Sequence, residues 1–312
     1  MVKTAVLMAT YNGEKFVKEQ LESIKNQELK PDYVFIRDDQ STDSTVEIVK
    51  SFIEENSLSN WIIEKNKKNL GWRLNFRALL FDVLNYEVDY VFFSDQDDTW
   101  YLDKNRKQVD IMENNKEIDV LSADIDIIKI SEEATVPNQY KFKDDSQKIS
   151  QYPNNINYVN YRQGWTFCIR KSFLDQITPK WTEDRILSHD NLFAGISGFL
   201  GTGYNLNEAV GVHKRHGGNA SGNLLNLKQP YSRHVSELLI VLSYYQILYD
   251  VAQERNSDKS GLVKNYLNFY LQRYNNAKDR RFSGTIRQLL FSRKYYVDFS
   301  NWARDIVFLF KK

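Results

Sequence analysis

Short apolar runs alternate with helical periods along the first 125 residues. Ala5 to Ala9, Tyr33 to Arg37, Trp61 to Glu64 and Tyr90 to Ser94 read as strands, and Val120 to Ala123 as a weaker fifth. Between them Val17, Leu21 and Ile24 fall on one helical face, as do Val49, Phe52 and Ile53, and then Leu79, Leu80, Val83 and Leu84. Ser44-Thr45-Val46-Glu47 has the form of a capping box opening the second helix. Strands alternating with helices predict an α/β domain on a mostly parallel sheet with flanking helices. In such sheets ligands bind beyond the carboxyl ends of the strands. Residues 126–225 are less regular, with a loop marked by Pro153, Asn154, Asn155 and Asn157, a β-like stretch from Phe167 to Arg170 and a short helix near Ser172. From Tyr231 onward the pattern is helical, with Leu238, Leu239, Leu242, Tyr245 and Leu248 in one apolar stripe.

Composition narrows the function classes. In 312 residues the formal net charge is +1, which argues against a nucleic-acid partner. The lone cysteine, Cys168 between Phe167 and Ile169, excludes an intramolecular disulfide and reads as a core thiol. No run reaches the roughly 18 consecutive apolar residues that would span a bilayer. Met1 to Ala9 is short for a signal peptide and reads as the first strand. The expectation is a cytoplasmic protein.

Polar clusters sit where the strands end. Ala9-Thr10-Tyr11-Asn12-Gly13 follows the first strand: Tyr11 offers a ring for a base, or the segment is an ordinary turn. Arg37-Asp38-Asp39-Gln40-Ser41-Thr42-Asp43 follows the second; its carboxylates can accept from a base and ribose, while Ser41, Asp43 or Ser44 can cap a helix. Ser94-Asp95-Gln96-Asp97-Asp98-Thr99-Trp100 is the most informative. Three carboxylates within four residues repel one another, and Mg²⁺ or Mn²⁺, which takes oxygen ligands and substrate phosphates, would relieve that repulsion. His189-Asp190 opens a helical pattern, with Asp190 either a cap or a general base. His213 to Asn219 is a basic, imidazole-bearing stretch suited to a diphosphate or a metal, or a flexible loop.

The ordered set ATYNG, DDQSTD, the NLG segment at Asn69 to Gly71, SDQDDTW, HD and RHGGN resembles the family 2 glycosyltransferases, which have the GT-A fold. SDQDDTW followed by Lys104, with His216, Asn219 and Gly222 later, is similar to the rhamnosyltransferase branch. That branch builds bacterial cell-wall and capsular polysaccharides from dTDP-L-rhamnose. The resemblance implies a catalytic domain over residues 1–225, divided near residue 125 into nucleotide- and acceptor-binding halves, and a helical region over 226–312. It implies that Thr10, Tyr11, Asn12, Asp38 and Asp39 hold the nucleoside, with Asn69, Gly71, Arg73, Asp95, Gln96 and His216 along the donor. Trp100 would wall the sugar. Asp97, with Asp95 and His216, would hold Mn²⁺ or Mg²⁺, and Asp190 would be the base of an inverting displacement. Gln40 stands where glycine is usual, and His213-Lys214-Arg215 replaces the usual Tyr-Arg-Gln. Implied partners are a nucleotide-sugar donor and a saccharide acceptor, lipid-linked or free. The other readings are a UDP-hexose-dependent enzyme of the same fold and a nucleotide-sugar-binding protein without turnover.

Basic residues from Arg273 to Lys294 interleave with aromatics that continue to Phe310. Such helices suit the surface of an anionic membrane, at its inner face, or pack on the catalytic domain or a second subunit.

Overall fold

A computed structural model describes residues 2–132, 134–136, 138–143, 145–215 and 229–311. The elements run β1 (Thr4–Thr10), α1 (Val17–Lys25), β2 (Tyr33–Asp38), α2 (Thr45–Glu55), β3 (Trp61–Lys65), α3 (Trp72–Asp82), β4 (Tyr90–Ser94), β5 (Thr99–Trp100), α4 (Lys104–Asn114) and β6 (Val120–Lys129). There follow β7 (Ile149–Gln151), β8 (Cys168–Arg170), α5 (Lys171–Ile177), α6 (His189–Leu200), β9 (Gly203–Arg215), α7 (Tyr231–Glu254), α8 (Ser260–Lys278), α9 (Phe282–Phe291) and α10 (Phe299–Leu309). Every strand expected from an apolar run is present.

One mixed sheet has the order β3-β2-β1-β4-β8-β6-β9-β5, with β7 paired to β9. β1 to β4 pair in parallel, as do β6 and β9, whereas β8, β5 and β7 run against their neighbours. The chain moves outward from β1 to β3 and then returns to β4 on the other side of β1. Such a reversal is where open α/β sheets place their ligand crevice, beyond the carboxyl ends of β1 and β4. Both strands are buried nearly throughout, as their continuous apolar runs require. Cys168 lies wholly inside, and burial pushes its thiol up to about 12, so it is a core side chain.

The expected capping box does not form: Ser44 makes no side-chain cap, and Asp43 accepts from the Thr45 N–H instead. The Ser44 N–H donates to Glu14 at 3.1 Å, so the turn is tied to the loop after β1 rather than closed on itself.

Two compact units divide the chain. Met1–Asn155, Val159–Trp181 and Ser188–Asn219 form the first, and Ile156–Tyr158, Thr182–Leu187 and Ala220–Lys312 the second. Within the second, Tyr245 of α7 stacks on Tyr266 and Tyr270 of α8. α7 is long and apolar enough to cross a membrane by length and composition, although polar residues interrupt its apolar run; half of its most apolar stretch is buried.

Candidate active site

The crevice is stitched together by side chains from the loops after β1, β2 and β4. Gln96 bonds reciprocally with the Tyr11 main chain, accepting its N–H at 2.8 Å and donating to its carbonyl at 2.9 Å. A Cβ at position 13 would lie 2.2 Å from Gln96 Oε1, so a side chain there would push the Gln96 amide off its bonds to Tyr11. The Tyr11 side chain is 49% exposed, a flat apolar face left open at the crevice. Asn12, at φ +48°, accepts from the Thr42 N–H, and its own N–H donates to Ser41 Oγ. Asp38 is fully buried and accepts from Thr10 Oγ1 at 3.1 Å and from the Ser41 N–H at 2.8 Å. Thr10 and Asp38 therefore brace the strand ends from inside.

Asp39 organises the next loop. Oδ1 accepts from the Leu70 N–H and Asn66 Nδ2, and Oδ2 from the Gly71 N–H, all within 2.9 Å. Asn69 donates back to the Asp39 carbonyl. Gly71 has φ +77° and ψ 151°, a region that costs a side-chain-bearing residue about 1–3 kcal/mol. Gln40, at φ +71°, takes up the left-handed turn that a glycine would make easily, and its amide bonds to the Asn66 carbonyl. Asn66, absent from the sequence reading, thus joins three parts of this wall; its signal is short-range polarity alone.

Beyond β4, Asp95 and Asp97 are partly exposed while Asp98 is buried. Asp98 Oδ1 lies 2.6 Å from His213 Nδ1, and its other oxygen lacks a hydrogen-bond partner among the described residues. Burial, then the Asp98 and Asp97 charges, hold the Asp95 carboxyl well above the usual carboxylate range. Burial and Asp97 do the same to Asp98. This oxygen-only donor set fits a hard cation, because added positive charge is what the ionised forms lack. Among the described residues no group of three or more His, Cys, Asp or Glu side chains is arranged to hold a metal by itself, so substrate oxygens would have to share the coordination. His216 lies outside the described residues.

Two expectations are corrected. Trp100 is only 2% exposed, with its ring 6.2 Å from Phe92 and 4.0 Å from Lys104 Nζ; it is a core residue and does not wall a ligand site. The loop alternative for His213 to Asn219 fails for its first three residues: His213, Lys214 and Arg215 end β9, where Lys214 pairs with Glu19 and Arg215 donates to the Thr135 carbonyl, and the other four lie outside the described residues.

Asp190 lies in the first turn of α6, and Ser188 holds the cap position. Its Oδ1 accepts from the Asn191 N–H at 2.8 Å and from Ser188 Oγ; Oδ2 accepts from Asn160 Nδ2 at 2.8 Å. Burial raises its carboxyl above the ordinary value, opposed by these hydrogen bonds and by Arg73. The Arg73 guanidinium lies over the Trp72 ring at 4.7 Å, and its buried Nε has no hydrogen-bond partner among the described residues. Asp190 in turn adds to the electrostatic load on Asp95. The structure therefore brings Asp95, Asp97, Asp190 and Arg73 into one electrostatic neighbourhood.

His189 sits in an aromatic box, 3.9 Å from Phe76 and 4.5 Å from Phe93 between ring centres, with both ring nitrogens unpartnered among the described residues. Burial pushes it down to about 3. The unfolded chain takes up this proton near pH 6.5 and the folded chain does not, so stability is lost as pH falls from about 6.5 toward 3. In urea titrations His189→Phe should remove a slope approaching 1.4 kcal/mol per pH unit within that window. An unchanged slope would mean that the imidazole is charged or solvated in the fold.

Carboxylates beyond the strand ends at the reversal of the parallel part of the sheet are the nucleotide-binding arrangement of the α/β enzymes. The family model described as Glycosyl transferase family 2 matches residues 5–176, more than half of the chain, and the chain belongs to that family of enzymes. It is 43% identical to dTDP-rhamnosyl transferase RfbG of Shigella flexneri over 106 residues, 34% of this chain and 36% of that one. The matched stretches span about a third to a half of the length of three curated relatives, and 17% of the longer TarS. Among solved structures, S. aureus TarS 1-349 in complex with UDP superposes with a TM-score of 0.59 at 19% identity, covering 99% of this chain and 89% of that one. It has also been solved with UDP-GlcNAc. The mannosyltransferase PcManGT from Pyrobaculum calidifontis, in complex with GDP-Man and Mn²⁺, gives 0.51 at 13% identity, covering 98% and 85%. These likenesses establish the GT-A type of fold.

Proposed function

We propose that residues 1–225 transfer L-rhamnose from dTDP-L-rhamnose to a saccharide hydroxyl, with inversion, in the synthesis of a bacterial surface polysaccharide. The acceptor is read as lipid-linked and the site of action as the cytoplasmic face of the membrane. The observation that carries the chemistry is that Asp97, Asp98 and Asp190 lie near enough for their charges all to act on the Asp95 carboxyl. The 43% identity to RfbG supports the donor.

Asp190 takes the proton of the acceptor hydroxyl, and that oxygen forms a bond to the anomeric carbon. The glycosyl–phosphate bond breaks on the opposite face, its electron pair leaving on the nucleoside diphosphate. Asp97 and Asp95 would hold Mn²⁺ or Mg²⁺, which when bound would stabilise the negative charge of that leaving group. Tyr11 stacks on the pyrimidine, and the Asp39-ordered loop with Arg73 lines the donor.

The direct test is a thermal-shift screen of nucleotide sugars with Mn²⁺ or Mg²⁺, in which the true donor raises the melting temperature most. The UDP complexes of TarS favour a UDP-hexose as second reading, and a larger shift with UDP-sugars would select it. Asp97→Asn should lower turnover by at least about a hundredfold, the scale of losing one main electrostatic stabiliser. Full activity in excess chelator would rule out the metal. Tyr11→Ala should weaken nucleotide binding by about 1–3 kcal/mol, and an unchanged dissociation constant would remove Tyr11 from the base site.

A further inference from the structure

We propose that α9 and α10 form a docking surface for a membrane with anionic headgroups. On α9 the solvent side repeats Phe282, Ile286 and Leu290 at i, i+4 and i+8, with Phe291 beside them. On α10 it presents Phe299 and Val307, with Phe310 directly past its end. Phe291 is 77% exposed and Phe310 70%. The two stripes meet where the Phe282 and Phe310 rings pack edge to face, 5.9 Å between centres. The same helices also carry buried side chains, Gln288 and, flanking the stripe, Leu289 on α9, and Asp305 and Phe308 on α10, so each helix is already seated on its neighbours and the exposed stripe is additional apolar surface. Helices apolar on both sides call for a second apolar medium.

Charge identifies that medium. Residues 280–312 hold eight basic and two acidic side chains, a net +6 in a chain of total +1, which leaves −5 for the rest. One of the two acids, Asp305, is buried against Arg273, and two of the bases pair with acids outside the segment, Arg281 with Asp279 and Arg304 with Glu237. Arg287 shares the exposed side of α9, and Arg293 and Lys294 follow its end, both exposed. A second copy of this chain would bring like charges face to face. Anionic lipid headgroups complement them, and the hydrocarbon beneath takes the phenylalanines. The surface stands on its own geometry; its use in presenting a lipid-linked acceptor rests on the glycosyl-transfer reading.

The test is co-sedimentation of the full chain with vesicles of phosphatidylcholine, with and without phosphatidylglycerol, at low and high salt. Binding should require phosphatidylglycerol and weaken with salt. Arg287→Gln, Arg293→Gln and Lys294→Gln together should lower the partition coefficient on the order of a hundredfold, about fivefold per charge. Leu290→Ser with Phe291→Ser should bring binding down to the level on neutral vesicles. All five side chains are exposed, and far-UV circular dichroism checks that the helices persist. Equal binding to both vesicles, or unchanged binding in both variants, would overturn the proposal. So would a concentration-dependent dimer abolished by the Leu290 and Phe291 changes, which would give the surface to a second copy. Thermal shift with the nucleotide sugar on the same proteins separates the readings. A chain that binds vesicles but none of the nucleotide sugars keeps the surface and sinks the proposed donor reading, whereas the reverse result does the opposite.

Discussion

Asp190→Asn should lower turnover by roughly 10²–10⁴-fold, the range of a lost general base, while donor affinity stays within about twofold. The substitution is nearly isosteric. The amide oxygen can still accept from the Asn191 N–H and Ser188 Oγ, so the first turn of α6 keeps its ties. The new amide nitrogen faces Asn160 Nδ2, and Asn160 can turn its own oxygen toward it. What disappears is the lone pair that takes the acceptor proton. Because burial holds the Asp190 carboxyl above its ordinary value, the acid limb of wild-type turnover should lie above the usual aspartate range. That limb should be absent from the residual activity of the variant. Loss of donor affinity instead would make Asp190 a donor-binding residue and place the base elsewhere.

The strands and their ends were legible because buried parallel strands leave continuous apolar runs, as in Tyr90 to Phe93. The acidic cluster after them stood out because three neighbouring carboxylates need a reason. Long-range pairing was not legible. Asp98 meets His213 across 115 positions, and Asp38 turns inward to Thr10 across 28. Trp100 misled for a local reason: in the two-residue β5 successive side chains point to opposite faces, so Thr99 reaches Glu19 while Trp100 enters the core. Asn160 gave no signal, since its segment has no periodicity and its role appears only beside Asp190. Capping failed similarly, because Ser44 and Glu14 meet across 30 positions, beyond the reach of a four-residue motif.

Asp305→Ala should destabilise the C-terminal helices by about 3–5 kcal/mol, read as a drop in the urea midpoint. Asp305 of α10 is 4% exposed and accepts from Arg273 of α8 twice, at 2.7 and 2.8 Å. Its Oδ2 also accepts from Gln288 of α9 at 3.0 Å and from the Tyr296 hydroxyl at 2.7 Å. One carboxylate thus ties three helices, and His234 of α7 lies 3.6 Å away. Alanine would leave a buried guanidinium uncompensated and the Tyr296 hydroxyl without its acceptor, although Gln288 still donates to Tyr296, and this costs far more than the pair itself contributes. The double change Arg273→Met with Asp305→Leu should therefore be less destabilising than Asp305→Ala alone. A loss below about 1 kcal/mol in the single variant would mean that water reaches Arg273 and that the tie is slack. Vesicle binding should fall with it, although no exposed residue changes, because α9 and α10 present their apolar stripes only while Asp305 holds them together.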